Sequence, residues 1–175
     1  MNEFHHKLWE ESQITAAGCA WLASVTGHVD RDEAYLTGLF ATIGCMLLSQ
    51  ASTKYEILYE KAQSYPLTCH ELEERLTSTN RSVVGFIVAQ LWSLPLSVCS
   101  AIYHMHDVSL QSPNVFPLGP LIGAVRTSIC FMEQHGLADV SETAEYLKFH
   151  DVARDELMLD QATLEEFSEY MESLG

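Results

Sequence analysis

Basic residues are scarce in this chain. It has 9 Lys+Arg against 24 Asp+Glu, a formal net charge of −15. Such a deficit repels phosphate backbones and anionic lipid surfaces, which argues against nucleic-acid or membrane-surface binding. The five cysteines, Cys19, Cys45, Cys69, Cys99 and Cys130, are odd in number and widely spaced, with no Cys-x-x-Cys pair. That pattern points to reduced, buried thiols rather than a disulfide framework or a zinc site. The start, Met1 to His6, lacks a basic segment followed by an apolar run, and charges and amides interrupt every apolar stretch long enough to suggest a membrane span. The expectation is a soluble, acidic, cytoplasmic protein. Gly-x-Ser-x-Gly and Gly-x-x-x-x-Gly-Lys are both missing, and no Cys-His pairing is evident, so nothing announces a nucleophile or a phosphate loop. There is no sustained two-residue alternation, no internal repeat and no low-complexity segment.

What is present is helical periodicity. Residues 7–26 place Leu8, Trp9, Ile14, Ala17, Trp21, Leu22 and Val25 on one broad apolar face, and Gly27 ends the run. Asp30 reads as an N-cap with Glu33 three residues on. One helix is then expected to carry Leu36, Leu39, Phe40, Ile43 and Leu47, with Gly38 and Gly44 inside it only if close packing needs them. Further helices are predicted over 54–64, 69–77 and 81–92, and from Pro95 to about His106. Three prolines make 107–120 the clearest loop. A long helix from Leu121 to near Gly136, one capped by Ser141 running through Phe149, and one over 161–174 complete the chain. The expected fold is all-α, a single-domain helical bundle over 1–175, with the last helices in 118–174. Trp9, Trp21 and Trp92 lie on apolar faces and read as core. The Glu71/Glu73/Glu74 and Glu165/Glu166/Glu169 groups read as solvated helix faces.

Five short patterns follow in order. They are Leu8-Trp9-Glu10-Glu11-Ser12 with Ala16 and Ala20, the run Glu33 to Gly44, Asn80-Arg81-Ser82-Val83-Val84-Gly85, Leu91-Trp92-Ser93-Leu94-Pro95, and Ala101 to Asp107. Together they resemble the HDOD family, an all-helical bacterial signalling module related to the HD phosphohydrolases. The resemblance is specific over residues 8–107. It implies an HD-like fold and a place for metal ligands that this chain does not fill. The family's first histidine is Glu11 here, its His-Asp pair is Ala41 and Thr42, and the histidine ahead of Val-Gly aligns with Asn80. The paired histidines of the last motif become Met105 and His106. The later aspartate has no equivalent near Arg126 and Thr127. An alanine methyl and a threonine hydroxyl cannot hold a divalent cation against water.

The resemblance therefore implies a non-catalytic regulatory module acting through protein contacts, with no catalytic residue, metal or cofactor. Glu11, Ala41, Thr42, Asn80, His106 and Asp107 mark its vestigial pocket. Its contact surfaces are expected in the 107–120 loop and the acidic last helix. One alternative is a metal-dependent phosphohydrolase with a rearranged site at His70, His104, His106 and Asp107. His104 and His106 lie roughly 200° apart on a helix, which opposes joint chelation. Another alternative is a small-molecule sensor using the pocket at Ala41, Thr42, Asn80 and His106. His5 and His6 sit at an end and carry no site. Family members usually have a further set of helices, about a hundred residues, ahead of the first motif. With 47% hydrophobic and only 19% charged residues, exposed apolar surface and a homodimer are expected, through the 7–26 face or the 81–106 helices. The competing outcome is that helices 121–174 fold back over the 7–26 face.

Overall fold

In a computed structural model, residues 2–132 and 141–174 are described. They are all helical, with no strand among the described residues. The order is α1 (Glu3–Thr26), α2 (Arg31–Phe40), α3 (Ile43–Ala51), α4 (Tyr55–Gln63), α5 (Cys69–Thr77), α6 (Arg81–Leu91) and α7 (Leu96–His104). A 3₁₀ turn (Phe116–Leu118) leads into α8 (Gly119–Met132), α9 (Ala144–Leu157) and α10 (Gln161–Glu172). The expected end of the long helix near Gly136 lies outside the described residues.

Local chemistry sets most boundaries. The Asn2 side chain accepts from the His5 N–H, which starts α1 earlier than the apolar face alone indicates. Gly27 closes α1 in the left-handed conformation, φ 66°. Asp30 caps α2 through the N–H groups of Asp32 and Glu33. Thr143, not Ser141, caps α9, which runs on past Phe149 to Leu157. Pro120 sits in the first turn of α8, where its missing N–H costs nothing.

The expected single helix through Leu36 and Leu47 is two helices. Ala41 and Thr42 form a turn between them, and α2 packs on α1 and α7 while α3 packs on α6. Read straight through, Arg31–Ala51 is long and apolar enough to cross a membrane by length and composition, contrary to the expectation that no stretch would be. Half of that window is buried inside the bundle, as in a core helix. Both internal glycines are contact points. A Cβ on Gly38 would stand 2.7 Å from the Ala16 Cα, and one on Gly44 would stand 2.0 Å from the Arg81 carbonyl oxygen. α1 thus packs tightly on α2, and α3 on the start of α6.

α1 is the central strut, against α2 on one side and against α8 and α10 on the other. Leu22, Ala34, Ile122, Val125 and Phe167 belong to the main core. Trp21 stacks on Tyr170 and meets Phe167 edge-on-tilted at 5.4 Å. The C-terminal helices therefore fold back onto part of the 7–26 face, at Trp21, while Trp9 and Val25 stay about half exposed. Trp9 and Trp92 are not core, being 46% and 68% exposed. α9 is latched to the α4–α5 connection. The Thr143 hydroxyl donates to the Ser64 carbonyl (2.6 Å), and the Glu145 carboxylate accepts from the Leu67 and Thr68 N–H groups (2.7 and 2.8 Å).

Candidate functional site

The turn at Ala41–Thr42, the middle of α1, the start of α6 and the end of α7 converge on one small cavity of about 50 Å³. Glu11, Ala41, Thr42, Arg81 and His106 line it, with Tyr59 and Phe149. Four of the six residues singled out from sequence, Glu11, Ala41, Thr42 and His106, thus come together. Asn80 and Asp107 are not in the lining. Asn80 caps α6, accepting from the Val83 N–H at 3.0 Å and donating to Glu74 Oε1 at 2.7 Å. Asp107 pairs with His104 Nδ1 at 2.7 Å. The space suits one or two waters. Small-molecule ligands as large as nucleotides need roughly 300 Å³ or more.

The residue that sequence reasoning passed over is Arg81. Its Nε donates to Glu73 Oε1 at 2.6 Å, and its backbone N–H donates to Glu73 Oε2 at 2.8 Å. Tyr55 donates to the same Glu73 carboxylate. The Arg81 guanidinium lies over the Tyr59 ring at 5.2 Å, and the Tyr59 hydroxyl donates to Glu11 Oε2 at 2.8 Å. Glu73 is fully buried, not part of a solvated face as expected, while Glu165, Glu166 and Glu169 are exposed. Burial pushes the Glu73 carboxyl up. The Arg81 charge and the hydrogen bonds from Tyr55 and Arg81 outweigh it and hold the group below its usual value. The Arg81 Nη2 is buried and has no partner among the described residues. A signal for this pair existed in the sequence: Glu73 lies one turn before the end of one helix and Arg81 opens the next, across a short turn.

A second buried cation stands behind the cavity. Arg126, fully buried on α8, donates from Nε to the Met105 carbonyl (2.8 Å) and from Nη2 to the Asp107 carbonyl (2.7 Å), while its guanidinium packs 4.2 Å from the Phe149 ring centre. It closes the end of α7, where carbonyls lack helical partners. Burial lowers its pKa to about 10.

His106 is held between these charges. Its Nδ1 donates to the Pro66 carbonyl at 2.8 Å, and its Nε2 has no partner among the described residues. Burial first, then Arg81, His70 and Arg126, hold its pKa well below the usual imidazole value. His70 meets the His106 ring edge-on at 5.2 Å and bonds Ser82 Oγ at 2.9 Å; burial and Arg81 lower its pKa too.

The HD enzymes related to this fold work through a metal, so the fit of these residues to a divalent cation matters. Around the cavity such an ion would meet one carboxylate, already accepting from Tyr59, the single imidazole of His106, a methyl, a hydroxyl committed to the Leu8 carbonyl, and a guanidinium that repels it, one carboxylate and one imidazole being too few to hold it. The set does not fit. Beside the cavity, ligand atoms of Cys69, His70 and His106 gather within 4.8 Å of one another, a donor set of the zinc type. Yet the Cys69 thiol and His106 Nδ1 both point at the Pro66 carbonyl, and burial pushes the thiol up to about 12. A metal there would have to displace both hydrogens beside Arg81. The rearranged His70/His104/His106/Asp107 set is only half assembled: His70 and His106 touch, while His104 and Asp107 bond each other.

The sequence profile of the HDOD domain matches residues 2–108. No curated protein matches the chain. Among solved structures, the "Putative signal transduction protein" of Marinobacter aquaeolei VT8 superposes with a TM-score of 0.67 at 22% identity, over 95% of this chain and 36% of that one. The "Putative phosphohydrolase" of Shewanella amazonensis SB2B gives 0.66 at 17%, over 99% of this chain and 61% of that one. An HDOD domain protein of unknown function from Geobacter sulfurreducens gives 0.60 at 19%, over 97% and 62%. At these identities the likeness is one of fold. The chain spans between about a third and two thirds of the length of these structures.

Proposed function

This chain belongs to the HDOD domain family, and from that premise we propose that it is a non-catalytic regulatory module that works through protein contacts. One observation carries the reading. The cavity at the family's ligand positions contains a guanidinium, Arg81, anchored by Glu73 and Tyr59. A fixed side-chain cation supplies there the positive charge that an exchangeable metal supplies in an HD hydrolase. It can neither ligate water nor lower the pKa of a bound one. The cavity, about 50 Å³, is also too small for a phosphodiester, which supports the same reading.

What remains for function is the outer surface, dominated by acidic helix faces and by one uncharged apolar region. The test is elemental analysis of the purified protein with hydrolysis of a generic phosphodiester in added Mn²⁺. The expected result is substoichiometric metal and no turnover above buffer. One bound metal per chain together with turnover abolished by His106→Ala would overturn the reading in favour of a rearranged phosphohydrolase.

A further inference from the structure

The second half of α6, the turn after it and α7 expose large apolar side chains in one place. Ile87 is 49%, Leu91 76%, Trp92 68% and Leu96 72% exposed. Ile87 and Leu91 are one turn apart on α6, and Leu96 begins α7, which packs against α6. The patch is continuous with a core cluster beneath it. Trp92 stands edge-on to Phe40 at 5.4 Å, and Leu94 packs with Val98 and Ile102. Four side chains of this size make a surface on the order of a few hundred Å², the scale at which an apolar patch marks a contact site.

The charge pattern says what covers it. From Ser82 to His106 the chain has no Asp, Glu, Lys or Arg, although the whole molecule carries −15. A basic partner would be drawn to the glutamates of α4, α5 and α10, not to this region. Two copies of so acidic a protein repel each other least through this face, beside which the Glu33 carboxylate accepts from the Ser97 hydroxyl at 2.7 Å. A two-fold contact also uses both patches at once, which brings the buried total toward the ~1,000 Å² of a specific interface, at its weak end. We propose that the α6–α7 face is a self-association surface, on which Leu91, Trp92 and Leu96 of one copy meet the same residues of a second.

The proposal deepens the contact-module reading by naming the partner, and it is tested separately from it, since metal content and turnover play no part. Light scattering and sedimentation of the full chain over a range of concentration are expected to show the mass doubling as concentration rises. Added NaCl should favour the dimer, because it screens −15 against −15. The emission of Trp92 should shift to the blue with the same concentration dependence, and Trp92→Phe should remove most of that shift. Leu91→Glu with Leu96→Glu should abolish the doubling while leaving the helical circular dichroism intact, since both positions are solvent-facing. Ile57→Glu, at a 74%-exposed site on α4, is the control that should keep the dimer. A strict monomer at millimolar concentration in high salt overturns the proposal. So does a dimer that survives the double glutamate variant or that dissolves as salt is added.

Discussion

Glu73 and Arg81 form an ion pair with almost no solvent contact, and the two ends of such a pair are not separately removable. Taking away one partner leaves the other buried and uncompensated, which costs about 3–5 kcal/mol. Arg81→Met and Glu73→Gln should each lower stability by that order in urea unfolding followed by circular dichroism. The double variant should lose less than the two single losses combined, because the second change removes the charge that the first one stranded. The pair was hidden in the sequence by its company. Glu73 sits between residues that read as one solvated run, Glu71 and Glu74, and only the packing of α5 against α6 turns it inward. His106 gives a prediction of its own. Burial holds its folded pKa well below the usual imidazole value, so on acidification the unfolded chain takes up the proton first. Its contribution is complete above about pH 6.5 and is lost as pH falls from there through the folded pKa, with a slope of at most ~1.4 kcal/mol per pH unit. His70 acts in the same direction. Unfolding free energies measured between pH 7 and 5 should fall in the parent protein and fall less steeply in His106→Gln.

Among the elements, the break between α2 and α3 decides where everything at the cavity stands. Ala41 and Thr42 carry no helix-breaking chemistry, so the sequence pattern ran one helix through them. The interruption goes with tertiary packing: Gly44 brings α3 onto the Arg81 backbone, whereas α2 packs on α1 and α7. Propensity is a weak guide where such a contact competes with it. Gly44→Ala puts a methyl into the Arg81 carbonyl, and backbone on backbone cannot yield cheaply. The expected loss is several kcal/mol or failure to fold, seen in thermal melts. Gly27→Ala meets nothing within 4 Å and carries only the strain of its left-handed φ, about 1 kcal/mol. Elements governed by local signals were legible from residues alone: the Asp30 cap, the Gly27 stop, and the helices over 69–77 and 81–92 within a residue or so. The Asn80 cap was not, because the family resemblance puts Asn80 in the place of a lost histidine, while the side chain that reaches the cavity is that of its neighbour Arg81.

For the whole molecule, the sequence carried the fold class and the family through the order of five short motifs, each weak singly. It did not carry the destination of the last helices. Trp21 lies far along the chain from Phe167 and Tyr170, and nothing in that spacing says that they meet. Nor did periodicity separate Trp21, which is covered, from Trp92, which lies in the open on an equally apolar helix end. Asn80→Ala should behave as a local defect, costing about 1 kcal/mol for the lost cap, without changing the mass of the protein at any concentration. The seating of Glu145 on the Leu67 and Thr68 amides reaches further. Those two amides belong to the stretch that the family shares, residues 2–108, but the carboxylate satisfying them comes from beyond it. The contacts that hold the shared stretch together therefore reach past its end at residue 108. A shortened chain ending at Val108 would bare both the amides and the flank of α1, and should be recovered as insoluble aggregate rather than as a miniature of the parent.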